Sequence, residues 1–370
     1  MTATKGLEGI VATTSSISSI VDGVLTYRGY NIDDLAVNAD FEEVAYLLWF
    51  GKLPDQEQLQ ELRSQLSEYA AIPDEIITQL KLYPKELSTM AALRSAVSSL
   101  ALYDPEADDM SRESNVTKTV KLQAQLPTIV AAIARIREGL EPIAPKKGVS
   151  IAENFLYQLT GRDPEETAIK AFNQALVLHA DHELNASTFA ARVTVATLSD
   201  IYSGITSAIG ALKGPLHGGA NEAVAKTLEE IGGLDQVDSY IQAKLDNREK
   251  IMGFGHRVYK NGDPRAKHLH KMSRELGEMN GDTTLFDMSV RIESIVTGQK
   301  GLKPNVDFYS ASVYTQLGIK RDLFTPIFAM SRVSGWTAHI LEQYENNRLI
   351  RPRAEYTGPM DQKYVSPELR

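Results

Sequence analysis

Cysteine is missing from all 370 residues, which excludes disulfides, thiolate metal ligands and a cysteine nucleophile and fits a reducing compartment. Long apolar runs are missing too, so no segment is expected to span a bilayer. The first residues, M-T-A-T-K-G-L-E-G, lack the apolar core of an export signal, and the expectation is a cytoplasmic protein without a membrane partner. Basic charge is in deficit: 39 Lys and Arg face 48 Asp and Glu. The net charge of -9 argues against a general nucleic-acid binder, so an anionic ligand must be held by a local cationic cluster. Repeats, low-complexity tracts and the strand–helix alternation of a dinucleotide fold are also absent.

What is present is mostly helical pattern, long enough for one large or two linked domains with an ample core. Residues 15–30 read as a small hairpin turning at Asp22-Gly23, nearly the only convincing strand signal. Asp40 and Glu43 form a capping-box start for a helix from Phe41 to Phe50, ended by Gly51. Pro54-Asp55 opens a second helix to about Tyr69, Pro73 opens a third, and Ser88 to Leu102 forms an apolar one. A polar loop from Tyr103 to Asn115 precedes a long helix to about Glu138, and a connector follows at 139–148. From Glu165 to Ile209 helical patterns run without a proline, and another helix-like run covers Glu222 to Ile231.

Chemistry concentrates in four stretches. In I-G-A-L-K-G-P-L-H-G-G-A-N, residues 209–221, His217 is framed by Gly214, Pro215, Gly218 and Gly219 just before a helix start, where free N–H groups favour an anion. A turn whose histidine merely caps that helix is the alternative. In L-H-A-D-H-E-L-N-A-S-T, His179 and His182 stand three apart, as on one helical face. That spacing is not the zinc-protease H-E-x-x-H, and no metal is expected; His179 reads as a core histidine and His182 as part of a pocket wall. In I-M-G-F-G-H-R-V-Y-K-N-G-D-P-R-A-K, His256 follows Gly253 and Gly255 among Arg257, Lys260, Arg265 and Lys267. Val258 stands where a nucleotide fingerprint needs its third glycine, leaving either a solvated face or a carboxylate and phosphate site. In K-G-L-K-P-N-V-D-F-Y-S, Asp307 lies in an apolar setting that raises a carboxyl pKa, or else caps a helix beginning near Tyr309. Arg332 falls in an apolar helix opened by Phe324-Thr325-Pro326 and needs a partner, while the tail around Pro352 should be extended.

Two glycine-framed histidines, an aspartate in an apolar loop and scattered arginines suit acid–base work on an anionic substrate. In order along the chain, P-L-H-G-G-A-N, G-F-G-H-R-V-Y with D-P-R, P-N-V-D and S-R-V-S-G-W resemble the citrate synthase family, in its short bacterial and archaeal form. The resemblance covers essentially the whole chain. It implies an all-α, two-domain helical fold: a large domain of residues 1–218 and 325–370 carrying the hairpin, and a small domain of 219–324 closing over the active site. It implies a homodimer and the reaction of the tricarboxylic acid cycle in which acetyl-CoA, oxaloacetate and water give citrate and CoA, with acetyl-CoA a substrate and no cofactor. Carried over by position, Asp307 takes the methyl proton, His217 bonds the thioester oxygen, and His256 serves the ketone of oxaloacetate. His182, Arg265, Arg332 and, from the second chain, Arg351 hold the dicarboxylate; Arg257, Lys260, Lys303 and Arg353 are the candidates for CoA.

Without a cysteine no thiol acyl-enzyme is available, which leaves direct condensation. The nearest alternative is a 2-methylcitrate synthase acting on propionyl-CoA; Leu216, giving P-L-H in place of P-K-H, favours acetyl-CoA. A helical binding protein without catalysis is the other alternative, and the presence of all three catalytic candidates speaks against it.

Overall fold

The structure, a computed structural model, describes residues 5–7, 9–86, 88–256, 258–259 and 261–370. The hairpin forms as expected. Strands β1 (Ser18–Val21) and β2 (Val24–Tyr27) pair antiparallel, and β3 (Tyr30–Asn31) adds to β2. Asp22 and Gly23 both take positive φ, 51° and 79°, matching the twist a two-residue hairpin requires. Asn31 then caps α1 (Ile32–Asn38).

Local chemistry sets most helix ends. Capping boxes at Asp40/Glu43 and Asp55/Gln58 start α2 (Phe41–Phe50) and α3 (Gln56–Tyr69), and Gly51 in the left-handed conformation closes α2. Helices α4 (Asp74–Leu82) and α5 (Thr89–Leu100) follow. The long helix α6 (Arg112–Arg137) begins earlier than expected, because the Ser111 hydroxyl accepts from Ser114 N–H and caps it ahead of Asn115. After α7 (Ile151–Thr160), the run without proline is three helices: α8 (Glu166–His179), α9 (Ala186–Val195) and α10 (Ile201–Leu212). Its breaks come from the side chains of Asn185 and Asp200, which capture the first amides of α9 and α10.

Helices α11 (Ala220–Ile231), α12 (Val237–Asp246), α13 (Ala266–Asn280), α14 (Thr284–Lys300) and α15 (Val306–Gln316) pack on one another, with α13 also against α8. The last helix, α16 (Phe324–Glu345), is buried from Phe324 to Leu341 and lies among α2, α6, α8, α9 and α10. A helix apolar on every side belongs in an interior. Its polar groups are met from neighbouring elements: the Ser331 hydroxyl donates to Leu176 O at 2.6 Å and Trp49 Nε1 donates to Ser334 O at 3.0 Å. The architecture is all-α apart from the small sheet.

Candidate active site

Helix α8 stops at His179, so His179 and His182 do not share a helical face; His182 stands in the loop 180–185. His179 is fully buried, its Nδ1 lies 2.7 Å from Ala175 O, and burial lowers its pKa to about 3, the state of a neutral core histidine. No glycine or proline turns the chain after it. Glu183 does so with a φ of 47°, rare for a side chain of its size. The hairpin holds that conformation: Glu183 N–H donates to Ser18 Oγ at 2.9 Å, and the Glu183 carboxylate accepts Ile20 N–H at 2.6 Å. Tyr27 OH donates to Asp181 O at 2.9 Å, and Ser18 also donates to the Asp181 carboxylate. From the other side Gly335 of α16 donates its N–H to Ala180 O at 3.1 Å, and any Cβ there would overlap Asp181 Oδ1 and Ala180 O.

S-G-W also reaches His217. Trp336 Nε1 donates to Ser187 Oγ at 3.0 Å, and Ser187 Oγ lies 2.7 Å from His217 Nε2. Ser187 N–H points at the same Nε2 at 3.3 Å, so that nitrogen carries the lone pair and the proton sits on Nδ1. Burial, then the charge of Arg332, lowers the His217 pKa to about 4, so it is a neutral donor at pH 7.

G-F-G-H and K-P-N-V-D are stitched together. Gly255 N–H donates to Lys303 O at 2.8 Å, Asn305 N–H to Gly253 O at 2.9 Å, and Asn305 Nδ2 to Gly255 O at 2.9 Å. Gly253, at φ 82°, could carry no side chain, because the Phe308 ring occupies the space. Asn305 Oδ1 accepts from Asp307 N–H at 3.0 Å and caps α15. The cap is therefore Asn305 and not Asp307, and the helix begins three residues ahead of Tyr309. Among the described residues the Asp307 carboxylate has no hydrogen-bond donor. Desolvation raises its pKa to about 6 against the lowering effect of Arg265. His256 Nδ1 accepts from Val258 N–H at 3.0 Å and Tyr259 N–H at 3.2 Å, which places its proton on Nε2.

Arg265 is buried and bound through Nε and Nη2 to Asp263 at 2.9 and 2.8 Å; burial would lower its pKa, but the Asp263 charge more than reverses this. Arg332 finds a different partner from the carboxylate that a buried cation usually takes: Nε donates to His179 O at 2.7 Å and the guanidinium stacks 4.7 Å from the Phe328 ring centre. Desolvation lowers its pKa to about 10, still a cation at pH 7. The ring centres of His182 and His256 are 5.3 Å apart, and Tyr259 OH lies 3.1 Å from His182 Nε2. Both guanidiniums act electrostatically on His182 and Asp307, Arg332 on His217 and Arg265 on His256. These contacts and mutual charge effects thus bring together six of the expected residues. Among the described residues no group of three or more His, Asp or Glu side chains is placed to hold a metal ion.

The family model described as "Citrate synthase, C-terminal domain" matches residues 6–353. The chain belongs to the citrate synthase family. Citrate synthase 2 of Bacillus subtilis (strain 168) is 64% identical over 371 residues, covering 100% of both chains. A 2-methylcitrate synthase 1 of Corynebacterium glutamicum is 44% identical, covering 98% of this chain and 97% of that one. The crystal structure of citrate synthase from Pyrobaculum aerophilum superposes with a TM-score of 0.92 at 41% identity, covering 98% and 94%. That of Thermoplasma acidophilum, a ternary complex with carboxymethyl coenzyme A and oxaloacetate, superposes with a TM-score of 0.91 at 36% identity, covering 98% of each chain.

Other expected residues lie elsewhere. Arg351 is exposed and borders a cavity of about 810 Å³ between Leu7, residues 10–16, α9 and the end of α16, which none of the six residues lines. Lys303 is exposed beside Gly262, and Arg353 is exposed in the tail. Arg257 and Lys260 fall outside the described residues. Leu216 is fully exposed. Sequence reasoning places Ser187 only in the pocket wall beside His182, and it assigns no role of their own to Trp336 and Asp263, although both lie in the motifs S-R-V-S-G-W and D-P-R.

Proposed function

We propose that the chain condenses acetyl-CoA with oxaloacetate and water to form citrate and CoA. The observation that carries this reading is the undonated Asp307 carboxyl, held near pKa 6 in the field of two buried guanidiniums beside neutral imidazoles. Asp307 takes a methyl proton from the thioester while His217 Nδ1–H bonds the thioester oxygen. A pre-placed donor of this kind is worth roughly 3–4 kcal/mol, and positioned proton transfer about 10²–10⁴-fold. The enol carbon attacks the ketone of oxaloacetate, whose oxygen receives a proton from His256 Nε2–H. Water then attacks the citryl thioester carbonyl, its proton returning to His256 Nε2, and the C–S bond breaks as the Asp307 proton passes to the CoA sulfur. Arg265, Arg332 and His182 hold the carboxylates, and every proton moved has a side chain to take or give it, so no cofactor is called for.

His182 and His217 come from residues 1–218, Arg332 from 325–370, and His256, Arg265 and Asp307 from 219–324, which supports that last segment as a small domain closing over the rest. The exposed tail supports a homodimer in which Arg351 completes the neighbouring site. Among the described residues no helix is long and apolar enough to cross a membrane, which supports a cytoplasmic enzyme. The test is CoA release with oxaloacetate, comparing acetyl-CoA and propionyl-CoA. A methylene is worth about 1–3 kcal/mol, so acetyl-CoA should lead by ~10–200-fold in kcat/KM. The reverse order overturns the substrate assignment, and no release with either overturns the reaction.

A further inference from the structure

Asp263 is buried and accepts four hydrogen bonds: from Arg265 N–H at 3.0 Å, Arg265 Nε at 2.9 Å, Arg265 Nη2 at 2.8 Å and Val306 N–H at 3.0 Å. Four donors fill the lone-pair sites of a carboxylate, so Asp263 has none left for a substrate and cannot serve as a base. Two of the bonds form a bidentate pair that fixes the plane of the Arg265 guanidinium and, among the described residues, leaves its Nη1 edge without a partner. The fourth comes from the first residue of α15, immediately before Asp307. One carboxylate therefore touches both the element that holds a dicarboxylate and the element that carries the base.

Resting on the reaction proposed above, we infer that Asp263 is a positioning residue that couples oxaloacetate binding to proton abstraction, by locking Arg265 in plane and tying the start of α15 to it. A shift of the Arg265 side chain on binding its anion is transmitted through Asp263 to the backbone amide next to Asp307. Asp263 also acts by charge. The charged and titratable groups acting on Asp307 are Arg265 and Asp263 at the start of α13, Arg332 of α16 and, on its own helix, Tyr314. The negative charge of Asp263 offsets that of Arg265, which would otherwise favour ionised Asp307 and weaken it as a base.

Two substitutions separate the parts. Asp263→Asn removes the charge and loosens Arg265. The KM for oxaloacetate should rise about tenfold or more, the scale of a lost hydrogen bond to a charged group. The acid limb of kcat/KM for acetyl-CoA should also move to lower pH, by up to about one unit, because Arg265 is left uncompensated. A purely structural loss would scale that profile without moving it. Val306→Pro removes the amide that bonds Asp263 and exchanges a buried valine side chain for the proline ring, leaving the Arg265 contacts in place. Position 306 is the first of its helix, where proline is tolerated, and Asn305 before it is already extended. Here kcat should fall about tenfold or more through misplacement of Asp307, while KM for oxaloacetate stays within about threefold. Should Asp263→Asn not fold, Asp263→Glu replaces it: the charge is kept, so the limb should stay in place while KM rises. A stationary limb in Asp263→Asn, a displaced limb in Asp263→Glu, or a parallel change of KM and kcat in Val306→Pro overturns the coupling. Wild-type enzyme is the control, since absence of CoA release there overturns the reaction and not the role of Asp263.

Discussion

Replacing Asp307 with asparagine should disable the enzyme and stabilise it in the same step. Burial moves the carboxyl from 3.8 to about 6, roughly two pH units. At 1.36 kcal/mol per unit the ionised group costs the folded state about 3 kcal/mol, reduced to about 1–3 because the residue is only half-buried. The sign follows from a folded pKa raised above the unfolded one. The cost is absent below about 3.8, grows as pH rises and is complete above about 6. Asparagine does not titrate, so the gap between variant and wild type isolates this group. Thermal melts should place the variant above wild type at pH 8, with the gap narrowing at pH 5. Turnover should fall by about 10²–10⁴-fold, with oxaloacetate still bound. In wild type, kcat/KM for acetyl-CoA should drop about tenfold per pH unit below 6, while His217, at about 4, stays neutral through most of that limb. Near-normal turnover, or a Tm below wild type by the same amount at both pH values, would refute the reasoning.

Three further outcomes are expected. Ser187→Ala removes the hydroxyl that steadies His217 and should lower kcat about tenfold with little change in KM for oxaloacetate, checked by steady-state kinetics. Gly335→Ala drives a methyl group into Asp181 and Ala180; it should destabilise by about 3 kcal/mol or more and raise KM for oxaloacetate through the His182 loop, checked by denaturation and kinetics. Asp307→Asn and Arg351→Ala homodimers should each be nearly inactive, whereas purified heterodimer should recover about half of wild-type activity, because one site then carries neither defect. A heterodimer as inactive as its parents removes Arg351 from the neighbouring site.

The glycine- and proline-framed motifs were legible because their spacing is itself a backbone requirement. Gly253, at φ 82° against Phe308, and Gly218, packed against Leu212, admit few other residues. Capping boxes were legible for a similar reason, being contacts three residues apart. The exit from α8 was not, since neither glycine nor proline marks it and the left-handed Glu183 is held by a hairpin 163 and 165 residues away in sequence. Nor could the tautomer of His217 be read, because it depends on Ser187 and on Trp336 from a distant helix. The partner of Arg332 escaped notice as well: a backbone carbonyl and an aromatic ring leave no charge pattern to search for.

Because α16 is a central packing element and is made after every helix it packs on, the order of synthesis and the order of burial are opposed. Helices α2, α6, α8 and α9 leave the ribosome with their inward faces lacking the partner they will pack on. At typical elongation rates of about 5–20 residues per second, α2 waits roughly 15–60 s before α16 is complete. The loop bearing His182 is equally provisional until Gly335 arrives to receive it. A nascent chain cut anywhere before residue 335 should therefore expose apolar surface and bind no substrate, and catalytic competence should arrive abruptly once α16 has been made.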